Sequence, residues 1–196
     1  MTSTHPTFAT TQATDALLAL TAEGGATHAD FIAAAPAGAG VYGVVVDDDG
    51  ARQLGVDTRG TEGLVYVGVA ERSLRDRGVR AHFQSGRTQD STLRRSLAAL
   101  LVDELGLAAV PRSPGVASAR LVLTTDSEDE LTAWMQQHLR LRVWEAPAGA
   151  SAVEVEREIV RELTPALNLY GVDQPWQHLR DRRRAVTDQA LQSATL

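Results

Sequence analysis

The chain has no cysteine and no lysine among its 196 residues. Without cysteine, disulfides, zinc–thiolate sites and thiol nucleophiles are excluded. Without lysine, all 19 basic residues are arginine. With abundant Ala, Gly, Val and Asp, this matches GC-rich codon usage, so the preference alone says little about function. No apolar run approaches the roughly 20 residues that a membrane-spanning helix needs, so no membrane partner is expected. Met1 to Thr14 is Thr-rich and lacks a basic start followed by an apolar block, so it does not read as a secretory signal. A cytoplasmic protein is expected. Tyrosine is also scarce, with three in all.

The length suits one domain with extensions, and 43% hydrophobic with 22% charged residues is ordinary for a globular chain. The net charge of −6 argues mildly against nucleic-acid binding, but its distribution argues the other way. Seven arginines (72, 75, 77, 80, 87, 94 and 95) lie between Glu71 and Arg95 against three acids, and a second cluster fills 180–184. Such runs are usually solvated faces. Here the first one follows directly on a pair of tyrosine-bearing strands, and local positive charge is enough to hold phosphates, with strong salt dependence.

Those strands are the β-branched runs Val41 to Val46 and Leu64 to Val69, carrying Gly40-Val41-Tyr42 and Tyr66-Val67-Gly68. Asp47-Asp48-Asp49-Gly50, then Gly60 and Gly63, read as the turn chemistry of a long hairpin. Upstream, Asp15 to Leu20 and His28 to Ala35 suggest short helices, the second ended by Pro36. Downstream, 72–83 reads as a helix bearing Arg77 and His82. Ser91 or Thr92 caps another, with Leu93, Leu97, Leu100 and Leu101 on one face. Pro111, Pro114 and Gly115 mark an irregular stretch, and Ala119 to Thr124 is a strand candidate. Ser127 with Glu130 forms a capping box for a helix whose core face holds Leu131, Trp134, Met135 and His138. Leu141 to Trp144 alternates apolar and basic residues as a half-exposed strand does, and Ala152 to Leu163 is the last helix read, stopped before Pro165.

The fold class expected is α/β, a small mostly antiparallel central sheet flanked by helices. Gly38 to Gly43 fits G-x-G-x-x-G, but a helix and proline precede it and a strand follows, the reverse of the dinucleotide fingerprint. No nucleotide cofactor is therefore expected.

In the helix from Ala152 to Leu163 the apolar stripe is Ala152, Val155, Ile159, Val160 and Leu163, and Glu156 falls in its middle. A carboxylate there must be neutralised, paired with an arginine or coordinated to a metal. The pairing and the metal both stay open on periodicity. Magnesium takes hard oxygen ligands, keeps several waters and often uses only one or two protein carboxylates.

Taken in order, Gly40-Val41-Tyr42, Tyr66-Val67-Gly68, Arg77, His82, Glu156 and Pro165-Ala-Leu-Asn168 make the chain resemble the GIY-YIG nuclease superfamily. Thr92 to Leu97 is also similar to a segment of bacterial members. The resemblance spans roughly 38–172 with an insert around 84–118. Residues 1–37 then form a helical or flexible extension, and 173–196 a basic tail. It implies a metal-dependent endonuclease that hydrolyses phosphodiester bonds in DNA, with RNA as the other candidate substrate, by a one-metal mechanism. Glu156 would hold Mg²⁺ or Mn²⁺, Arg77 would neutralise charge on the scissile phosphate, and Tyr42 or Tyr66 would orient or deprotonate water. His82 would accept a proton, and Asn168 would orient the site. A catalytically inactive nucleic-acid-binding module is the alternative, and an interaction protein binding an acidic partner through the arginine patch is the third.

Overall fold

Four valines and a tyrosine, interrupted only by Gly40 and Gly43, form strand β1 (Gly40–Val46), which is buried along its whole length because it is the middle strand of the sheet. The computed structural model describes residues 10–75, 82–111 and 121–193. Strands β2 (Leu64–Ala70) and β5 (Leu139–Glu145) flank β1, both antiparallel, in the order β2-β1-β5. A separate two-stranded ladder pairs β3 (Ala109–Pro111) with β4 (Leu121–Leu123). The helices are α1 (Thr11–Thr21), α2 (His28–Ala34), α3 (Asp48–Leu54), α4 (Thr92–Leu101), α5 (Thr125–His138), α6 (Ala152–Leu163) and α7 (Gln177–Ser193). The expected class, a small antiparallel sheet flanked by helices, is the one observed.

Side-chain alternation along β1 sorts two cores. Tyr42, Val44 and Val46 face a larger one with Leu93, Leu97 and Leu101 of α4 and Leu131 and Met135 of α5. Val41 and Val45, with Leu64, Val67 and Trp144, face a smaller one closed by Ala16 and Leu20 of α1 and by Val155, Ile159 and Val160 of α6. Both sheet edges are covered, as exposed edges invite foreign pairing. On β5, Ala26 and Leu141 exchange backbone bonds of 2.9 Å. On β2, the amide of Leu167 donates to the Val65 carbonyl at 2.9 Å.

Several sequence expectations change in detail. Asp47 to Gly50 is not a hairpin turn. Asp47 caps α3, its carboxylate accepting from the Gly50 amide at 2.7 Å, and Asp48 and Asp49 in the first turn suit the helix N-terminus. Gly55, at φ 66°, ends that helix in the left-handed region. Helix α5 starts before the expected capping box: Thr124 is its N-cap, and Ser127 is buried inside the first turn, where its hydroxyl accepts from the Ala108 amide. The strand read over 119–124 is confined to Leu121–Leu123 among the described residues. Arg142, read as an outward residue, spans to the carbonyls of Leu20, Gly24 and Glu62 and so ties β5 to the end of α1. The helix read over 72–83 lies partly outside the described residues, which resume at His82 and Phe83 in helical conformation. Helix α7 was not expected, because its buried stripe is only Leu179, Val186 and Ala190 among arginines.

Candidate active site

The two motif words sit opposite each other in the β1–β2 ladder, with Tyr42 facing Gly68 and Val44 facing Tyr66. Tyr42 and Val44 are two apart, so both tyrosines project from one face of the sheet as diagonal neighbours. A Cβ on Gly68 would overlap the Tyr42 phenol, and one on Gly40 would overlap the Trp144 carbonyl. The glycines of the two words therefore make room, one for a ring and one for a strand.

His82 completes a triangle with the phenols. Its ring centroid is 5.8 Å from Tyr42 and 5.9 Å from Tyr66, and the two tyrosine rings are 6.3 Å apart. The Tyr42 hydroxyl and His82 Nε2 are 2.7 Å apart, and His82 Nδ1 is 2.6 Å from Ser91 Oγ. Ser91 is also the N-cap of α4, accepting from the Arg94 amide at 3.0 Å. Arg94 then holds His82 from a second side, donating from Nη1 to the His82 carbonyl at 3.2 Å. The Arg94 side chain is fully buried. Its charge is met by Glu128 at 2.7 Å, and further bonds to Thr88 and Thr132 satisfy its remaining donors. Removing either partner of such a pair leaves an uncompensated buried charge.

The electrostatics follow from burial. Desolvation, reinforced by Arg94, lowers the His82 pKa to about 4, so the imidazole is neutral near pH 7. Burial also raises the Tyr66 pKa, a hydrogen bond from Tyr42 acts against that rise, Glu156 adds to it and Arg95 opposes it. Tyr66 thus feels both the phenol network and the α6 carboxylate. Glu156 itself is half-buried, and burial raises its pKa, with Arg157 pulling the other way.

No hydrogen bond or ion pair reaches Glu156 among the described residues, so the arginine pairing left open by periodicity is not made there. A half-buried carboxylate with no ion pair among the described residues, beside a phenol, fits a hard divalent cation with a mostly aqueous shell. No cluster of three or more acidic or histidine side chains offers an all-protein cage among the described residues.

Asn168, the one asparagine of the chain, is buried beside β2. Its Oδ1 accepts from the Val67 amide and its Nδ2 donates to the Val67 carbonyl, both at 2.9 Å. The side chain thus acts on the strand residue between Tyr66 and Gly68. Arg77 lies outside the described residues. The arginine cluster that follows β2 is not one surface, since Arg94 is buried while Arg95 stays half-exposed and bonds Gln89 and Thr92. In the second cluster Arg182 pairs with Asp103, and Arg183 and Arg184 line a cleft beside α4. Ser91, Arg94 and Glu128 are the residues of this site that sequence reasoning missed. Ser91 carried only a capping signal, and nothing in the sequence links Arg94 to an acid on another helix. His138, read as a core residue, is buried and bonds Asp47 at 3.0 Å.

Searches of curated proteins and of solved structures give no match to this chain. The family model of the GIY-YIG catalytic domain matches residues 51–185, a span that begins after Tyr42 and takes in Tyr66, Arg77, His82, Glu156 and Asn168. With more than half of the chain matched, and both tyrosine words paired across one ladder beside His82, the protein belongs to the GIY-YIG catalytic domain family.

Proposed function

We propose that the protein is a metal-dependent endonuclease that hydrolyses phosphodiester bonds in DNA. The observation that carries this reading is the ring cluster of Tyr42, Tyr66 and His82, in which Tyr42 is hydrogen-bonded to His82, with Glu156, in no ion pair among the described residues, within electrostatic reach of Tyr66.

The polarity of the network suggests which phenol works on water. In one tautomer Ser91 donates to His82 Nδ1, His82 Nε2–H donates to Tyr42, and Tyr42 donates to Tyr66. Every donor then points towards the Tyr66 oxygen, which offsets part of the burial that raises its pKa. Tyr66 would take the proton of the attacking water, and Tyr42 would hold the phenolate. In the other tautomer His82 Nε2 accepts from Tyr42 and would take the proton passed along the same line only transiently, since its pKa of about 4 returns it. Arg77, by the family resemblance, would neutralise charge growing on the phosphate. Asn168 would keep Tyr66 in register by fixing Val67. Glu156 would hold Mg²⁺ or Mn²⁺. When bound, the cation supplies positive charge at the phosphoryl oxygen and cancels the carboxylate's repulsion of a Tyr66 phenolate.

The test is nicking of supercoiled plasmid with Mg²⁺ or Mn²⁺, comparing wild type with Glu156→Ala. The variant should lose at least about 100-fold in rate. Cleavage that survives the substitution would remove Glu156 from the metal site. Binding without cleavage by wild type would favour the inactive module instead.

A further inference from the structure

Helices α4 and α7 leave between them a cleft of about 360 Å³, in the size range of small-molecule sites. Its floor is apolar, with Ala98, Ala99 and Val186, and its rim carries Arg95, Arg183 and Arg184. No acid is among the described residues that line it. The neighbouring Arg182 is tied to Asp103, whereas the three rim arginines form no ion pair among the described residues.

Two of these guanidinium groups are close enough to repel. Burial and then Arg95 lower the proton affinity of Arg183, while Tyr170 opposes this. The Arg95 Nε is buried without a hydrogen-bond partner. Arg95 lies one turn beyond Ser91, its amide donating to the Ser91 carbonyl while the Ser91 hydroxyl meets His82, so the cleft adjoins the phenol triangle. Tyr170, 81% exposed, stands near Arg183 as an aromatic face open to solvent.

Cations held together without acids call for an anion, but an inorganic anion has no use for an apolar floor. A nucleotide presents both chemistries, phosphate and a flat base. A base inside a duplex is stacked and cannot reach such a floor, so the nucleotide must be unpaired. We propose that this cleft is a subsite for one unpaired nucleotide next to the scissile phosphate, its base on the Ala98–Ala99–Val186 floor and its phosphate on Arg95, Arg183 and Arg184. The favoured substrate is then nucleic acid with a single-stranded tail rather than continuous duplex. This rests on the nuclease reading and adds the form of the substrate to it.

The test measures fluorescence anisotropy of labelled oligonucleotides in EDTA, where no metal-dependent cleavage intervenes. A short blunt duplex is compared with the same duplex carrying a single-stranded tail. Wild type should bind the tailed form about tenfold more tightly, from burial of one base face on the apolar floor and one added phosphate contact. Thr187→Trp, which fills the cleft mouth from a partly exposed position, and Arg183→Glu should both bring that ratio towards one, with circular dichroism showing each variant folded. Equal binding of the two forms by wild type overturns the proposal, as does a preference that survives both variants. Equal displacement by inorganic phosphate and by a mononucleotide would also overturn it, reducing the cleft to an anion site. If wild type nicks plasmid yet shows no tail preference, only the cleft assignment falls. If it neither binds nor cuts any nucleic acid, the nuclease reading falls with it.

Discussion

The Tyr42 hydroxyl is the group through which His82 reaches Tyr66. Tyr42→Phe keeps the ring over Gly68 and removes that link alone. Single-turnover cleavage should slow by about 100-fold, within the range of general acid–base contributions. DNA affinity should change little, because the ring and its neighbours remain. Thermal unfolding should register a loss of about 1 kcal/mol for the hydrogen bond removed. Unchanged turnover would sever the triangle from the chemistry and leave it a packing feature. Glu156 shows what one residue can disclose from sequence: an acid in an apolar stripe signals a function because burial without a partner costs energy. Arg94 shows the limit. It looks like any arginine of its run, and only the fold brings Glu128 to 2.7 Å from it.

Among the elements, β2 carries one motif word and is fixed at its outer edge by the Asn168 side-chain amide beside the Leu167 backbone bond. Asn168→Ala would leave the buried Val67 N–H and C=O without their partners, costing about 2–4 kcal/mol. Urea denaturation should show the shift in midpoint, and Asn168→Asp, which sets a second oxygen against the Val67 carbonyl, should not restore it. A midpoint equal to wild type would mean that water or backbone replaces the clamp. Strands β1, β2 and β5 and helices α4 and α6 were legible in the sequence because their periodicity and caps agree with their burial. Helix α3 was not, since Asp-Asp-Asp-Gly serves equally as a turn and as a helix start. Its capping aspartate is answered by His138, which lies 91 positions away. Helix α7 escaped because its arginines obscured a thin apolar stripe.

On the scale of the whole molecule, an acidic chain of net charge −6 still gathers three arginines at one cleft, none in an ion pair among the described residues. Its stability should also depend on pH through His82. The folded pKa of about 4 lies below the ordinary histidine value of 6.5, so between those limits the unfolded chain binds the extra proton. The contribution of His82 is thus fully present above about pH 6.5 and is lost as pH falls towards about 4, by at most about 3 kcal/mol. Urea midpoints taken near neutrality and at about pH 4.5 should differ less in His82→Gln than in wild type. An equal drop in both would assign the acid sensitivity to other groups.

One serine hydroxyl joins two kinds of event that usually run separately. Ser91 closes the first turn of α4 and also contacts the ring nitrogen of His82. Fraying of that turn is therefore the same opening that frees the imidazole, so local unfolding and loss of proton order share one clock. Hydrogen exchange at a single backbone amide, that of Arg94, should therefore keep time for the site.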